Sequence, residues 1–307
     1  MRFVLAAEEA MGARALKILS ESSHTIVALM TDEKLRRSVC QAPGEIAKTK
    51  GIPIWPAKLL KDPATADLLR THDVDILLNV YSTHRVCADV LGAVGSASLN
   101  LHPGPLPEVA GRNPIGAALY HGHSEHGVTL HHMQVEFDAG AIAYETRFPI
   151  EERDTAGSLS FRCAREGETL LTALFKDASV GAYAIPRARQ DISKRVYFSG
   201  KMPRNGEIDW SCPARDVWNF VRAYDFLPFS SPWGHPSTIL GGRRVGIARS
   251  LLTSDQCDQP PGTVRLAKET SVLVAAGDQW LKVEKVVLDG VVEPAAHILH
   301  LGARFGN

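Results

Sequence analysis

Short apolar runs alternate with helix-period stretches through the first hundred residues. Residues 2–7 (RFVLAA), 24–31 (HTIVALMT), 52–57 (IPIWPA), 74–82 (VDILLNVYS) and 96–101 (SASLNL) carry the strand pattern. Residues 12–22, 45–51 and 63–72 carry the helical one. This alternation predicts βαβ units and an α/β fold with a Rossmann-like, mostly parallel sheet. Ligands of such sheets sit beyond the carboxyl ends of the strands, where the Pro-rich loop after residue 101 falls. Neither G-x-G-x-x-G nor a Walker loop occurs, so the usual nucleotide fingerprints are missing.

Farther on, residues 115–122 read as a helix, 126–135 and 141–150 as strands around a turn at 136–140, and 155–178 as an amphipathic helix with Thr155 at its cap. Residues 185–210 are polar and hold Pro, Gly and Arg, the composition of a connection. A helix over 213–225 precedes strand patterns at 243–252, 262–267, 271–277 and 279–290, which predict a small OB-like β-barrel. The expected organisation is a domain over 1–186, a linker over 187–204 and a carboxy-terminal OB-like domain over 205–307.

Composition narrows the partners. The 34 Lys and Arg balance the 34 Asp and Glu, so net charge makes no case for nucleic acid or an anionic membrane. Cys40, Cys87, Cys163, Cys212 and Cys257 are odd in number and form no C-x-x-C pair, which suits reduced thiols in a cytoplasm. Glu8 and Glu9 interrupt the apolar start before a signal segment could form, and no later run approaches a membrane span. A cytoplasmic, soluble protein is expected.

The candidate chemistry begins at the end of the 96–101 run. Asn100 and His102 are two apart, so a strand projects them to one side. An Asn amide can stabilise an oxyanion, a His can relay a proton, and a nearby carboxylate would orient the ring and raise its pKa. Asp138, in the EFDAG turn, is the candidate carboxylate, although Asp-Ala-Gly is also an ordinary turn. The cluster His121, His123, His126, His131 and His132 invites a metal reading. His131 and His132 are strand neighbours facing opposite ways, so no metal site is expected there.

Residues 98–145 (SLNLHPGPLPEVAGRNPIGAALYHGHSEHGVTLHHMQVEFDAGAIAYE) resemble the core of the 10-formyltetrahydrofolate-dependent formyltransferases, with Asn-x-His, a Leu-Pro turn, a Gly-Val-Thr strand and an Asp-x-Gly loop in order. Residues 206–225 (GEIDWSCPARDVWNFVRAYD) resemble the start of the carboxy-terminal domain of the longer members. The resemblance implies 10-formyltetrahydrofolate as co-substrate, Asn100 as oxyanion stabiliser, His102 as acid/base, and Asp138 as the group that raises the His pKa. It implies folate contacts along His84, Arg85 and Val86, near Arg112, and against Gln134, Val135, Glu136, Phe137 and Asp138. One departure stands out: Gly104-Pro105-Leu106-Pro107 replaces the Ser-Leu-Leu-Pro common in the family, removing a hydroxyl that borders the acceptor.

Three functions remain distinct: formyl transfer to a small amine, formylation of Met-tRNA, and hydrolysis of the formyl donor. A non-catalytic folate-binding protein is disfavoured because the whole Asn, His and Asp set is present. From residue 205 onward ten basic residues face eleven acidic ones, a poor surface for tRNA phosphates. Lys34, Arg36 and Arg37 are the remaining basic feature. A small amine, with a nucleotide-linked amino sugar foremost, is therefore the expected acceptor. The aromatic segment with Trp218, Tyr224, Phe226, Phe229 and Trp233 offers either a stacking surface or interface core.

Overall fold

The structure is a computed structural model that describes residues 1–32 and 42–305, the side chains of 266–268 aside. Lys34, Arg36, Arg37 and Cys40 lie outside the described residues. By its contacts the chain divides into two compact units, one of residues 1–111, 126–148 and 162–197, the other of residues 112–125, 149–161 and 198–307.

The first unit is built on a seven-stranded sheet. Its elements are β1 (Arg2–Ala7), α1 (Glu9–Ser20), β2 (Thr25–Thr31), α2 (Pro43–Lys50), β3 (Ile54–Pro56), α3 (Thr65–Thr71), β4 (Ile76–Val80), α4 (Ala88–Ala93) and β5 (Ala97–His102). Next along the chain come β6 (Ala110–Arg112), α5 (Pro114–Tyr120), which belongs to the second unit, β7 (Glu125–His132), β8 (Ile142–Pro149) and α6 (Ala156–Val180), whose first turns through residue 161 also belong to the second unit. The strand order is β3-β2-β1-β4-β5-β7-β8, parallel from β3 to β5 and antiparallel between β5 and β7. Order reverses at β1, whose chain neighbours lie on one side and β4 on the other, the usual place for a ligand crevice.

Central strands β1 and β4 are apolar almost without interruption because both faces are covered. Phe3, Leu5, Ile76, Leu77 and Leu78 are fully buried, each contributing about 1.5–3 kcal/mol of apolar burial. Helix α1 lays Met11, Ala15, Leu16 and Leu19 against the sheet at helical spacing. Gly12 permits that approach, since a Cβ there would stand 2.9 Å from the Ala7 Cβ. Thr155 and Ser158 cap α6 reciprocally, each backbone N–H donating to the other's hydroxyl.

In the second unit, β9 (Tyr197–Ser199) and α7 (Ala214–Arg222) precede β10 (Ser237–Leu240), β11 (Arg243–Gln256), β12 (Val264–Lys268), β13 (Ser271–Ala275), β14 (Gln279–Leu288), β15 (Val291–Pro294) and α8 (Ala295–Ile298). Strands β10-β11-β14-β13-β12 form an antiparallel sheet, with β15 also on β14. Register shifts along the fourteen-residue β11 bend it, and the sheet curls into an OB-like half-barrel. Trp218 and Tyr224 are core, 5% and 3% exposed, so they offer no stacking surface, whereas Phe229 and Trp233 remain exposed. Among the described residues no helix is long and apolar enough to cross a membrane.

Candidate active site

Strand parity places Asn100 and His102 on one side of β5, near its carboxyl end. The His102 Nε2 donates to the Val109 carbonyl at 2.7 Å. A carbonyl only accepts, so in the neutral ring Nδ1 carries the lone pair. That Nδ1 stands 3.9 Å from Asp138 Oδ1, an ion-pair separation and not a hydrogen bond.

The loop that presents Val109 is pinned to β7. Thr129 donates to the Gly104 carbonyl at 2.8 Å and accepts from the Leu106 N–H at 3.2 Å. His126 donates to the Pro103 carbonyl at 3.0 Å, and Pro105 accepts from the Val109 N–H at 2.9 Å. Gly104, Pro105, Leu106, Pro107 and Val109 are buried, so this Pro-rich segment packs as core.

Asp138 occupies a left-handed backbone conformation, φ 54°. Its Oδ2 accepts from the Gly111 N–H at 2.8 Å, and its main-chain carbonyl accepts from the Gln190 amide at 3.1 Å. Gln190 is 6% exposed and also donates to the Gly140 carbonyl, while Arg195 donates to the Phe137 carbonyl at 2.8 Å and pairs with Glu136 at 3.3 Å. Residues of the expected linker thus brace the 136–140 turn. Only their polarity was visible in the sequence, and polarity alone reads as solvent exposure.

His131, a member of the histidine cluster, belongs with this group. Its Nε2 lies 3.0 Å from the Asn100 amide nitrogen and 3.4 Å from Asp138 Oδ1. His132 faces away and donates to the Pro186 carbonyl at 2.9 Å, as strand alternation requires. Among the described residues no three His, Cys, Asp or Glu gather as metal ligands. The β5–β7 register, pairing Asn100 with His131, is the information the linear sequence lacked.

Burial pushes the His102 pKa below its ordinary 6.5, although Asp138 pulls it upward. The expected rise is therefore reversed, because the imidazolium loses more hydration than one carboxylate at 3.9 Å restores. Burial also opposes charge on Asp138, but protonated His131, which then donates to the carboxylate from Nε2, the charge of protonated His102 and the Gly111 N–H outweigh it and bring the pKa down to about 2. Both shifts are downward, so both groups contribute stability at neutral pH that acid removes. The His102 part fades as pH falls from 6.5 through its lowered value, and the Asp138 part fades between 3.8 and about 2. With neutral His102 as base, the acid limb of a kcat/KM profile is expected below pH 6.5. An acid limb above that value would show that burial does not govern this imidazole.

The expected folate residues divide. Arg85 lies over the Phe137 ring, 5.3 Å from its centroid, and Gln134, Val135, Glu136 and Phe137 are exposed along the turn. His84 instead pairs with Asp32 at 2.7 Å, and Val86 packs into the core with Leu60 and Val90. Arg112 is exposed at the end of β6.

The amide, two imidazoles and carboxylate can stabilise charge on a carbonyl oxygen and move a proton, the two requirements of acyl-group transfer. The formyl transferase pattern matches residues 3–174, and the formyl transferase C-terminal domain pattern matches residues 201–297. The chain belongs to the formyl transferase family and is an enzyme of one-carbon group transfer. Among solved structures it is similar to WlaRD, a sugar 3N-formyl transferase studied with dTDP and 5-N-formyl-THF, at 17% identity over 100% of this chain and 98% of that one, TM-score 0.69. It is similar to the N-formyltransferase from Helicobacter canadensis complexed with folinic acid and dTDP-3-aminofucose, at 16% identity over 92% and 97%, TM-score 0.66. A variant of HypX from Aquifex aeolicus matches at 18% identity, TM-score 0.68, over 97% of this chain, which spans 47% of the HypX chain.

Proposed function

We propose that the protein transfers a formyl group from 10-formyltetrahydrofolate to the primary amine of a small molecule, a nucleotide-linked amino sugar being the leading acceptor. The observation that carries this reading is the grouping of Asn100, His102 and Asp138, with His131 between Asn100 and Asp138, near the carboxyl end of β5 in a formyl transferase. The donor supplies a formyl carbon open to attack by an amine. Asn100 spends one amide N–H on His131 and keeps the second for the formyl oxygen, where negative charge develops. His102 takes the amine's proton at Nδ1, its Nε2 being held by Val109, and returns it to N10 of the donor as the bond between that nitrogen and the formyl carbon breaks, releasing tetrahydrofolate. Asp138 stabilises the imidazolium so formed. The exposed faces of Val135 and Phe137, with Arg85 beside them, suit a flat heteroaromatic ring bearing an anionic tail.

A small acceptor is favoured by the charge balance from residue 205 onward and by the sugar acceptors of the similar enzymes. Mass spectrometry for a gain of one formyl group, with 10-formyltetrahydrofolate and a panel of amino-sugar nucleotides, other small amines and Met-tRNA, tests the reading. For the true acceptor, KM is expected to change only severalfold between about 50 and 200 mM salt, whereas a partner engaged through many phosphates loses roughly 10³-fold. Efficient, salt-sensitive formylation of Met-tRNA with sugar nucleotides inert would overturn the choice. Donor turnover equal with and without any amine would establish a hydrolase instead.

A further inference from the structure

Asn100 stands in a transverse row of polar side chains. On β4 its register partner is Asn79, and on β7 it is His131. In-register neighbours on adjacent strands share a face, so the Asn100 amide has a polar group on either side. The two flanks differ. The Asn79 Oδ1 is buried, without a hydrogen-bond partner, while its amide nitrogen reaches the Ser82 carbonyl only at 3.5 Å. The His131 Nε2 is engaged with Asn100 at 3.0 Å. His131 Nδ1 lies 3.0 Å from the His132 carbonyl, which can only accept, so Nδ1 carries hydrogen and the neutral ring leaves Nε2 as an acceptor for the Asn100 N–H at 3.0 Å, with the Asp138 carboxylate farther off at 3.4 Å.

An Asn amide is nearly symmetric in shape and can turn over at little steric cost. Oriented with its nitrogen toward His131, it bonds to the Nε2 lone pair and holds its other N–H in a fixed direction. Turned over, it would face that lone pair with its own oxygen and offer its nitrogen to the unsatisfied oxygen of Asn79. Asn79 therefore favours the wrong orientation, and the His131 lone pair opposes it. We infer that His131 is a positioning residue that fixes the Asn100 amide with its nitrogen toward the reacting carbonyl. At 2% exposure, His131 is shielded from bulk solvent, which strengthens its contact with the Asn100 amide. The inference rests on the formyl-transfer reading only in taking Asn100 as the group that meets the formyl oxygen.

The test is a double-mutant cycle between His131→Leu and Asn100→Ala, read as tetrahydrofolate released from 10-formyltetrahydrofolate with the best acceptor and, separately, with water. In the native background His131→Leu is expected to lower kcat about 10- to 100-fold, with the donor KM little changed. In the Asn100→Ala background it should cost no more than about threefold, because the amide it acts through is gone. His131→Gln, whose side-chain oxygen can accept from Asn100, should restore most of the activity. A purely structural role would lower both backgrounds by the same factor, and that outcome, or an unchanged kcat in His131→Leu, overturns the inference. If His131→Leu fails to fold, His131→Met keeps the volume and removes the acceptor in its place. A wild type that releases tetrahydrofolate only to water refutes the amine acceptor yet leaves the cycle readable on hydrolysis. A wild type with no turnover of the donor under either condition ends both.

Discussion

Replacing His102 with alanine is expected to lower kcat for formyl transfer by on the order of 10²- to 10⁴-fold while leaving donor affinity nearly intact. His102 is 4% exposed, its Nε2 is committed to Val109, and its Nδ1 faces Asp138, so no other described group within this geometry offers a lone pair held the same way. His131 points its Nε2 at Asn100 and cannot take over without releasing that amide. Steady-state formylation and a direct titration of the donor check the two halves of this expectation. Unchanged turnover would remove His102 from the proton path, and a large loss of donor affinity would make it a binding residue instead.

Gly140→Ala is expected to destabilise the fold by about 3 kcal/mol, the upper end of overpacking costs, and to reduce formyl transfer sharply. A Cβ at this position would lie 1.8 Å from the His132 carbonyl oxygen, a main-chain atom that cannot swing aside. That same stretch is tied by the His132 N–H to the Ala141 carbonyl at 2.8 Å. Relief of the clash must move either β7, which carries His131, or the turn that carries Asp138. Urea unfolding measures the first effect and kcat the second. A variant with wild-type midpoint and rate would show that the backbone here yields far more readily than its packing implies.

Much of this arrangement was readable from the chain, and the missing parts have a common cause. The apolar runs of β1, β2, β4 and β5 fixed the parallel half of the sheet, and two-residue spacing put Asn100 and His102 on one side. The short helix α4 leaves no pattern in the sequence, because six residues hold too few turns to show a period. His131 was invisible as a partner of Asn100 because pairing across strands depends on register, which no local pattern records. Gln190 and Arg195 look like linker residues, yet their long side chains reach back fifty residues or more to hold the Asp138 turn. The downward shift of His102 needed burial as well as the carboxylate, and burial is a property of the folded neighbourhood.

The row Asn79, Asn100 and His131 spans three hydrogen-bonded strands, so its spacing is set by the inter-strand distance of about 4.8 Å. A backbone ladder acts here as a ruler, indifferent to the length or composition of the loops at its end. Insertions or deletions in those loops leave the separation of the three side chains constant. Asp138 alone sits off the ruler, on a turn held by Gln190 and Gly111, and new acceptor specificities engineered into this scaffold should leave those two anchors in place.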